Sequence, residues 1–404
     1  VLYLGTFAST PALASADLVG DADSGQYTGL LTTWDIGRRY GDAFRAADRQ
    51  LGDRQQSHKI KHILFLQLFG PVVRGAVAAG ADPWMAAKAP TALLAAITVA
   101  LVAVLLARAN VNSAVVIPAQ ALLALAPGMW TYAAQPDSWV LTGTLVLALV
   151  LWCVDRPTDV LWQGAAIGVA MLNNVFVGSV CVVVPVLRLC RGGTLAAALR
   201  GAVLAGVIAL AAWTASLVVL SRVEPDLSPR TVLAQLQFTR QLVPPLPHAL
   251  WHPTTIRLSL EQWTLTAFTS YQHDRELVGW GLGSTWETSW VGRTAILAMV
   301  ATWAWALVAV AWDLHARRTG YWHDHALLCA VVAVTAGLAL LLHVGNPHGV
   351  LLYSPLMAPL AVLMIAMAIG RSTRRGSLLW GTAVAVAMAA ICQISWLHGI
   401  LNRT

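Results

Sequence analysis

Apolar runs such as Thr91 to Ala107 and Val350 to Ile369 set the first limit on this chain. Each is close to the roughly 20 residues with which a helix crosses a ~30 Å hydrocarbon core. Inside a bilayer the backbone must satisfy its own hydrogen bonds, so repeated runs of this kind fold as packed helices. A water-soluble fold would have to bury all of them. The chain carries 57% hydrophobic and 11% charged residues, against roughly 25% charged in soluble domains. The expected fold is all-α, a polytopic integral membrane protein in contact with the lipid bilayer.

Apolar stretches cover 1–16, 90–107, 113–128, 137–154, 160–190, 198–221, 291–312, 326–344, 350–369 and 378–399. The 160–190 stretch is long for one span and short for two. At its middle stands Asn173-Asn174, a polar pair that is costly at hydrocarbon depth unless it turns the chain or lines a cavity. It reads as two short helices meeting near the outer face. The count is then about eleven transmembrane helices in a single domain, residues 1–404.

Loop charge sets the orientation, because cytoplasmic loops gather Lys and Arg. Arg188, Arg191 and Arg200 mark one such loop, Arg317 and Arg318 a second, and Arg371, Arg374 and Arg375 a third. Arg108 and the Asp155 to Asp159 loop fall on the same inner side, whereas residues 17–89, Gln135 to Asp137 and residues 223–290 fall outside. The net charge of +7 belongs with these arginine-rich loops and gives no reason to expect a nucleic-acid partner.

The two long outer segments have distinct patterns. In 17–89, the first extracytoplasmic loop, Tyr40, Phe44, Ala47 and Leu51 recur at helical spacing among charges, as in a helix lying on the membrane or packed on protein. His62 to Ala79 is apolar but interrupted by Pro71 and Arg74, which suits a re-entrant or half-buried segment. In 223–290, the large extracytoplasmic loop, Trp251, Trp263, Trp280, Trp286 and Trp290 accompany many prolines. Interface anchoring and sugar stacking both fit them.

Several residue groups could carry chemistry. Asp21 and Asp23 follow the first apolar segment. Their Asp-x-Asp-x-Gly spelling suggests a calcium loop, but Thr32 stands where a bidentate Glu is required. They read either as caps of the helix that follows or as a general base with its neighbour. His58, Lys59, Lys61 and His62 form a basic cluster that passes into an apolar run, suited to neutralising a lipid phosphate or to ordinary interfacial charge. Asp137 makes a natural N-cap for the span it begins. Asn173 and Asn174 read as site-lining residues, and His348 and Tyr353 flank a Gly/Pro turn from which they could face a cavity. The five cysteines, Cys153, Cys181, Cys190, Cys329 and Cys392, are odd in number and lack metal-type spacing, so they read as small core residues.

Taken together the pieces resemble the GT-C superfamily of membrane glycosyltransferases, and most of all its uncharacterised bacterial members. The family's outer Asp-Ser-x-x-Tyr is matched by Asp23, Ser24 and Tyr27, and its His-Pro-Leu-Phe by His62-Ile63-Leu64-Phe65, with Ile63 in place of the proline. Pro136-Asp137-Ser138 resembles its Pro-Glu-Ser, Asn173-Asn174 its Thr-Asn, and Leu351-Leu352-Tyr353-Ser354 its Phe-Leu-Tyr-Ser. Where the family carries a His soon after that Ser, this chain has Pro355-Leu356.

The resemblance implies an inverting transfer of a sugar from a polyprenyl-phosphate donor to an extracytoplasmic acceptor. The outer-loop base would be Asp23 first and Asp21 second. On chemical grounds of its own, a lipid phosphate is already a good leaving group that needs its charge neutralised, which Lys59, Lys61 and His62, and more remotely Arg240 or Arg293, could supply. The resemblance implies the bacterial cytoplasmic membrane, with the site on its extracytoplasmic face. A divalent metal ion serves some members of the superfamily and not others, so no cofactor is fixed. Two other classes stand beside this one: a transporter or flippase-like carrier, and a non-catalytic membrane subunit of a larger complex, including a degenerate GT-C fold.

Overall fold

The computed structural model describes residues 22–33, 62–126, 132–133, 136–224, 227–233, 325–345 and 354–371, with a few isolated positions besides. The spans expected at 1–16, 291–312 and 378–399, the helix from Tyr40 to Leu51 and most of the 223–290 segment lie wholly or mainly outside these residues.

Among the described residues every regular element is helical. In chain order they are α1 (Ala22–Thr33), α2 (Ile63–Ala78), α3 (Pro83–Arg108), α4 (Ser113–Leu125), α5 (Trp139–Asp155) and α6 (Val160–Ala170). A 3-10 helix (Val175–Val182) follows, then α7 (Val183–Cys190), α8 (Leu195–Leu220), α9 (Ala326–Gly345) and α10 (Ser354–Arg371). Two of them, α3 and α8, have 26 residues each and are long and apolar enough to cross a membrane.

α3 starts at Pro83 rather than at residue 90, where the apolar run begins. Asp82 accepts the Met85 N–H at 2.9 Å, and Pro83 fills the first helical position, where a missing N–H costs nothing. Lys88, expected in the preceding loop, is therefore inside the helix.

Polar contacts fix the direction of each helix. Thr98 and Thr144 meet hydroxyl to hydroxyl at 2.8 Å, and Arg108 pairs with Asp155 at 3.1 Å, so α3 and α5 run parallel. α4 turns back from the Arg108 end through Asn110, whose φ of 55° is a left-handed conformation that Asn tolerates. A Cβ on Gly370 would stand 2.9 Å from Val111, which puts the last turn of α10 at this same end. Leu356 to Ile369 of α10 are buried throughout. A helix apolar on every side suits that surrounded position.

The 160–190 stretch makes two arms. α6 leaves the Asp155 end and reaches Asn173, which touches Ser138 at the opposite end of α5. The 3-10 helix and α7 then return, and Arg191 donates to the Val154 carbonyl at 3.5 Å.

α8 lies parallel to α6 and is packed through small residues. A Cβ on Gly164 would be 2.9 Å from the Ala205 oxygen, and one on Gly168 only 2.2 Å from the Ala209 oxygen. Without side chains at these points the backbones approach closely, as in small-xxx-small pairs of membrane helices. On α8 the buried face carries Ala198, Gly201, Ala205 and Ala209, while Leu195, Leu199, Val203, Val207 and Leu210 are exposed.

α2 stays at one end of the bundle. It begins at His62 beside Asn173, and the Ala79 to Asp82 turn delivers it to Pro83. The contact of Thr91 with the Ala133 carbonyl keeps that start of α3 on the Ser138 side.

Candidate functional site

The site is built at the Ser138 end, from parts far apart in sequence. Free N–H groups at a helix start and free carbonyls at a helix end both need partners. Here the two ends meet: Leu64 N–H at the head of α2 donates to the Leu172 carbonyl at 3.4 Å, just beyond α6. The opposed dipole ends also attract. His62 makes no cap bond to its own helix. Its Nδ1 donates instead to the Asn173 carbonyl at 2.9 Å.

Asn173 is fully buried and organises the neighbouring strands of contact. Its Nδ2 donates to the Ser138 carbonyl at 3.1 Å and to Thr142 Oγ1 at 2.8 Å. Ser138 in turn shares a hydrogen bond with the Tyr27 hydroxyl, at 3.1 Å. Tyr27, Ser138, Asn173 and His62 therefore form one connected group across α1, α2, α5 and the turn after α6. Aromatic rings close around it: His62 sits 5.8 Å from Tyr27 and 6.3 Å from Trp139, and Trp139 stacks on Phe176 at 6.1 Å.

Chemically this arrangement fixes a histidine tautomer. Because a carbonyl only accepts, the proton sits on Nδ1, and in the neutral ring the lone pair sits on Nε2. His62 is buried, so its rings and bonds hold it in one orientation.

Of the residues singled out from sequence, His62 and Asn173 are in direct contact. Asn174 is adjacent but differently engaged: its Oδ1 accepts the Phe176 N–H at 3.0 Å, capping the 3-10 helix. Asp137 serves its helix too, accepting the Trp139 N–H at 2.7 Å. Asp23 lies on α1 one turn before Tyr27. Asp21, His58, Lys59, Lys61, His348, Tyr353, Arg240 and Arg293 lie outside the described residues. Among the described residues no three His, Cys, Asp or Glu side chains group as metal ligands.

Lys88 is the residue that sequence reading passed over. It is 2% exposed, and its Nζ lies 5.6 Å from the Trp84 ring centre. The signal was present, since it is the one cation away from the ends of a 26-residue helix whose other cation, Arg108, stands at its last position.

Compared with known proteins, the chain matches no family profile, no curated protein and no solved structure. Among the described residues every regular element is helical, and two of these helices are long and apolar enough to cross a membrane.

Proposed function

We propose that this chain is a polytopic membrane glycosyltransferase with about eleven spans, moving a sugar from a polyprenyl-phosphate donor to an acceptor on the outer face of a bacterial cytoplasmic membrane. The observation that carries this reading is the joining of Tyr27, His62, Ser138 and Asn173. Each comes from a different element of the GT-C-like pattern, and three hydrogen bonds link them. An accidental set of short motifs would have no reason to meet.

Two further points support it. The exposed leucines and valines of α8 suit contact with lipid. Arg108, Asp155 and Arg191 gather at the end opposite His62, which is the distribution expected if that end is cytoplasmic.

In this reading the Asp23 carboxylate takes the proton of the acceptor hydroxyl as the acceptor oxygen bonds to the anomeric carbon, and the lipid phosphate leaves with the electrons of the broken bond. Asp21 assists or caps. A phosphate leaving group needs its charge met rather than a proton. Lys59 and Lys61 supply that positive charge, and His62 adds to it only when its Nε2 is protonated as well.

The experiment is transfer by purified protein from radiolabelled polyprenyl-phosphate sugars to an acceptor glycan. Asp23→Asn is expected to lose about 100-fold or more in rate, within the range of a removed general base, and Asp21→Asn much less. Full transfer by both variants would remove the carboxylate from the mechanism. Absence of transfer with every donor would favour a carrier or a non-catalytic subunit.

A further inference from the structure

At the end of the bundle opposite His62, two arginines close on the first turn of α8. The turn from Arg191 to Thr194, which joins α7 to α8, is exposed, and Thr194 caps α8 by accepting the Ala197 N–H at 3.2 Å. Arg188, from the last turn of α7, donates Nη1 to the Ala197 carbonyl at 2.9 Å. Arg200 donates Nε to the Ala196 carbonyl at 3.3 Å. Gly201 leaves room for the first of them, since a Cβ there would stand 2.6 Å from Arg188 Nη1.

Successive residues of a helix are only about 1.5 Å apart along its axis, so two guanidinium groups bound to neighbouring carbonyls are drawn together. Like charges so placed repel. The acids of this end do not relieve them, because Asp155 pairs with Arg108 and Asp159 with Arg156. Among the described residues neither Arg188 nor Arg200 has a carboxylate in ion-pair range. Each guanidinium has five donors and spends one on its carbonyl. Most of each fork remains for an anion.

The surface beside Arg200 decides which anion. Val203, Leu204 and Val207 follow it at i+3, i+4 and i+7, which is the same side of the helix, and all three are exposed with it. The Arg200 side chain turns back to Ala196, toward the start of α8, as an arginine does when its stem lies on apolar surface and its head reaches the membrane interface. An anion held there with tails attached would lay them along these three residues. A soluble anion gains nothing from that surface.

We infer that Arg188 and Arg200 bind the phosphodiester headgroup of an anionic phospholipid whose acyl chains lie along Val203, Leu204 and Val207 of α8. This lipid belongs to the bilayer and is not a sugar donor. The site needs α8 to cross the membrane and is independent of the reaction proposed for the other end. Planar forked donors match phosphate oxygens, and a phosphate between the two groups offsets their repulsion.

The test is titration of the delipidated full chain, in neutral detergent, with phosphatidylglycerol, read by native mass spectrometry. Phosphatidylcholine with the same acyl chains is the comparison lipid, and glycerol phosphate is added as a soluble competitor. The native chain is expected to prefer phosphatidylglycerol. Arg188→Gln and Arg200→Gln should each weaken that binding by about tenfold, the loss of one charge-assisted contact, and phosphatidylcholine should bind native chain and variants alike. Arg222→Gln removes the same charge beyond the far end of α8 and should leave binding unchanged.

Equal binding of phosphatidylglycerol by the native chain, Arg188→Gln and Arg200→Gln would overturn the assignment. So would equal binding of the two lipids by the native chain, displacement by glycerol phosphate, or an equal loss in Arg222→Gln. If Arg188→Gln fails to fold, the exposed Arg200→Gln and the charge-keeping Arg188→Lys make the comparison. The titration contains no sugar donor. Lipid binding that depends on both arginines in a chain without transfer would keep this site and remove the transferase; transfer by a chain whose lipid binding ignores both arginines would do the reverse.

Discussion

His62 Nδ1 lies 2.9 Å from the main-chain oxygen of Asn173, and through this bond the head of α2 is tied to the turn between the two arms of the 160–190 stretch. A side chain that reaches a backbone carbonyl does not depend on which residue supplies the carbonyl. It depends on the turn being where it is. The Asn173 side chain holds the turn in place by its bonds to Ser138 and Thr142.

His62→Leu is therefore expected to cost stability, since a buried carbonyl left without a donor costs about 1–3 kcal/mol. His62→Gln, which can still donate, should recover part of the loss. Thermal unfolding of the detergent-solubilised chain reads both. Equal midpoints for the native chain and His62→Leu would mean that this bond contributes nothing to the fold.

The adjacent asparagines should separate clearly. Asn173→Asp replaces a donor by an acceptor opposite the Ser138 carbonyl, and a penalty at or above about 3 kcal/mol is expected for a buried group that cannot pair. Asn174→Ala removes only a cap and should cost about 1 kcal/mol, with Asn174→Ser near neutral. Unfolding midpoints in the order Asn174→Ser, Asn174→Ala, Asn173→Asp are predicted; a reversal would exchange the two roles.

These two residues also show where sequence stops being informative. A polar pair in the middle of an apolar stretch identifies a turn, because polarity at that depth needs a reason. Which partner Asn173 takes is settled 31 to 35 residues away, at Thr142 and Ser138, and no local pattern contains that, whereas Asn174 takes the Phe176 N–H two residues on. Asp137 was readable as a helix-start residue because its partner, the Trp139 N–H, is local. Lys88 failed to register for a related reason. Lys88 looks like a loop residue when hydropathy is read along the chain, whereas Asp82 and Pro83 begin the helix earlier.

The ion pair between Arg108 and Asp155 marks position more than it stabilises. Its side chains are 57% and 35% exposed, and pairs in such surroundings contribute about 0–1 kcal/mol. Asp155→Asn should shift the unfolding midpoint little. It should, however, leave both residues open to modification from the same side of a sealed vesicle: cysteines placed at 108 and 155 are expected to react together with a membrane-impermeant thiol reagent, and labelling from opposite sides would break the parallel arrangement of α3 and α5.

The closest backbone approach supplies the sharpest test of the packing. A Cβ on Gly168 would meet the Ala209 oxygen at 2.2 Å, whereas Gly206 on the same helix pair has nothing within 4 Å. Gly168→Ala must push α6 and α8 apart, and overpacking of this kind costs about 1–3 kcal/mol. Gly206→Ala meets open space and removes backbone freedom from a helix interior, a gain of about 0.5–1 kcal/mol. The two substitutions are chemically identical, so opposite shifts in unfolding midpoint would isolate the contact. If Gly168→Ala were neutral, the small-residue seam between α6 and α8 would not be close-packed, and α8 would lose the feature that joins it to the Asn173 turn.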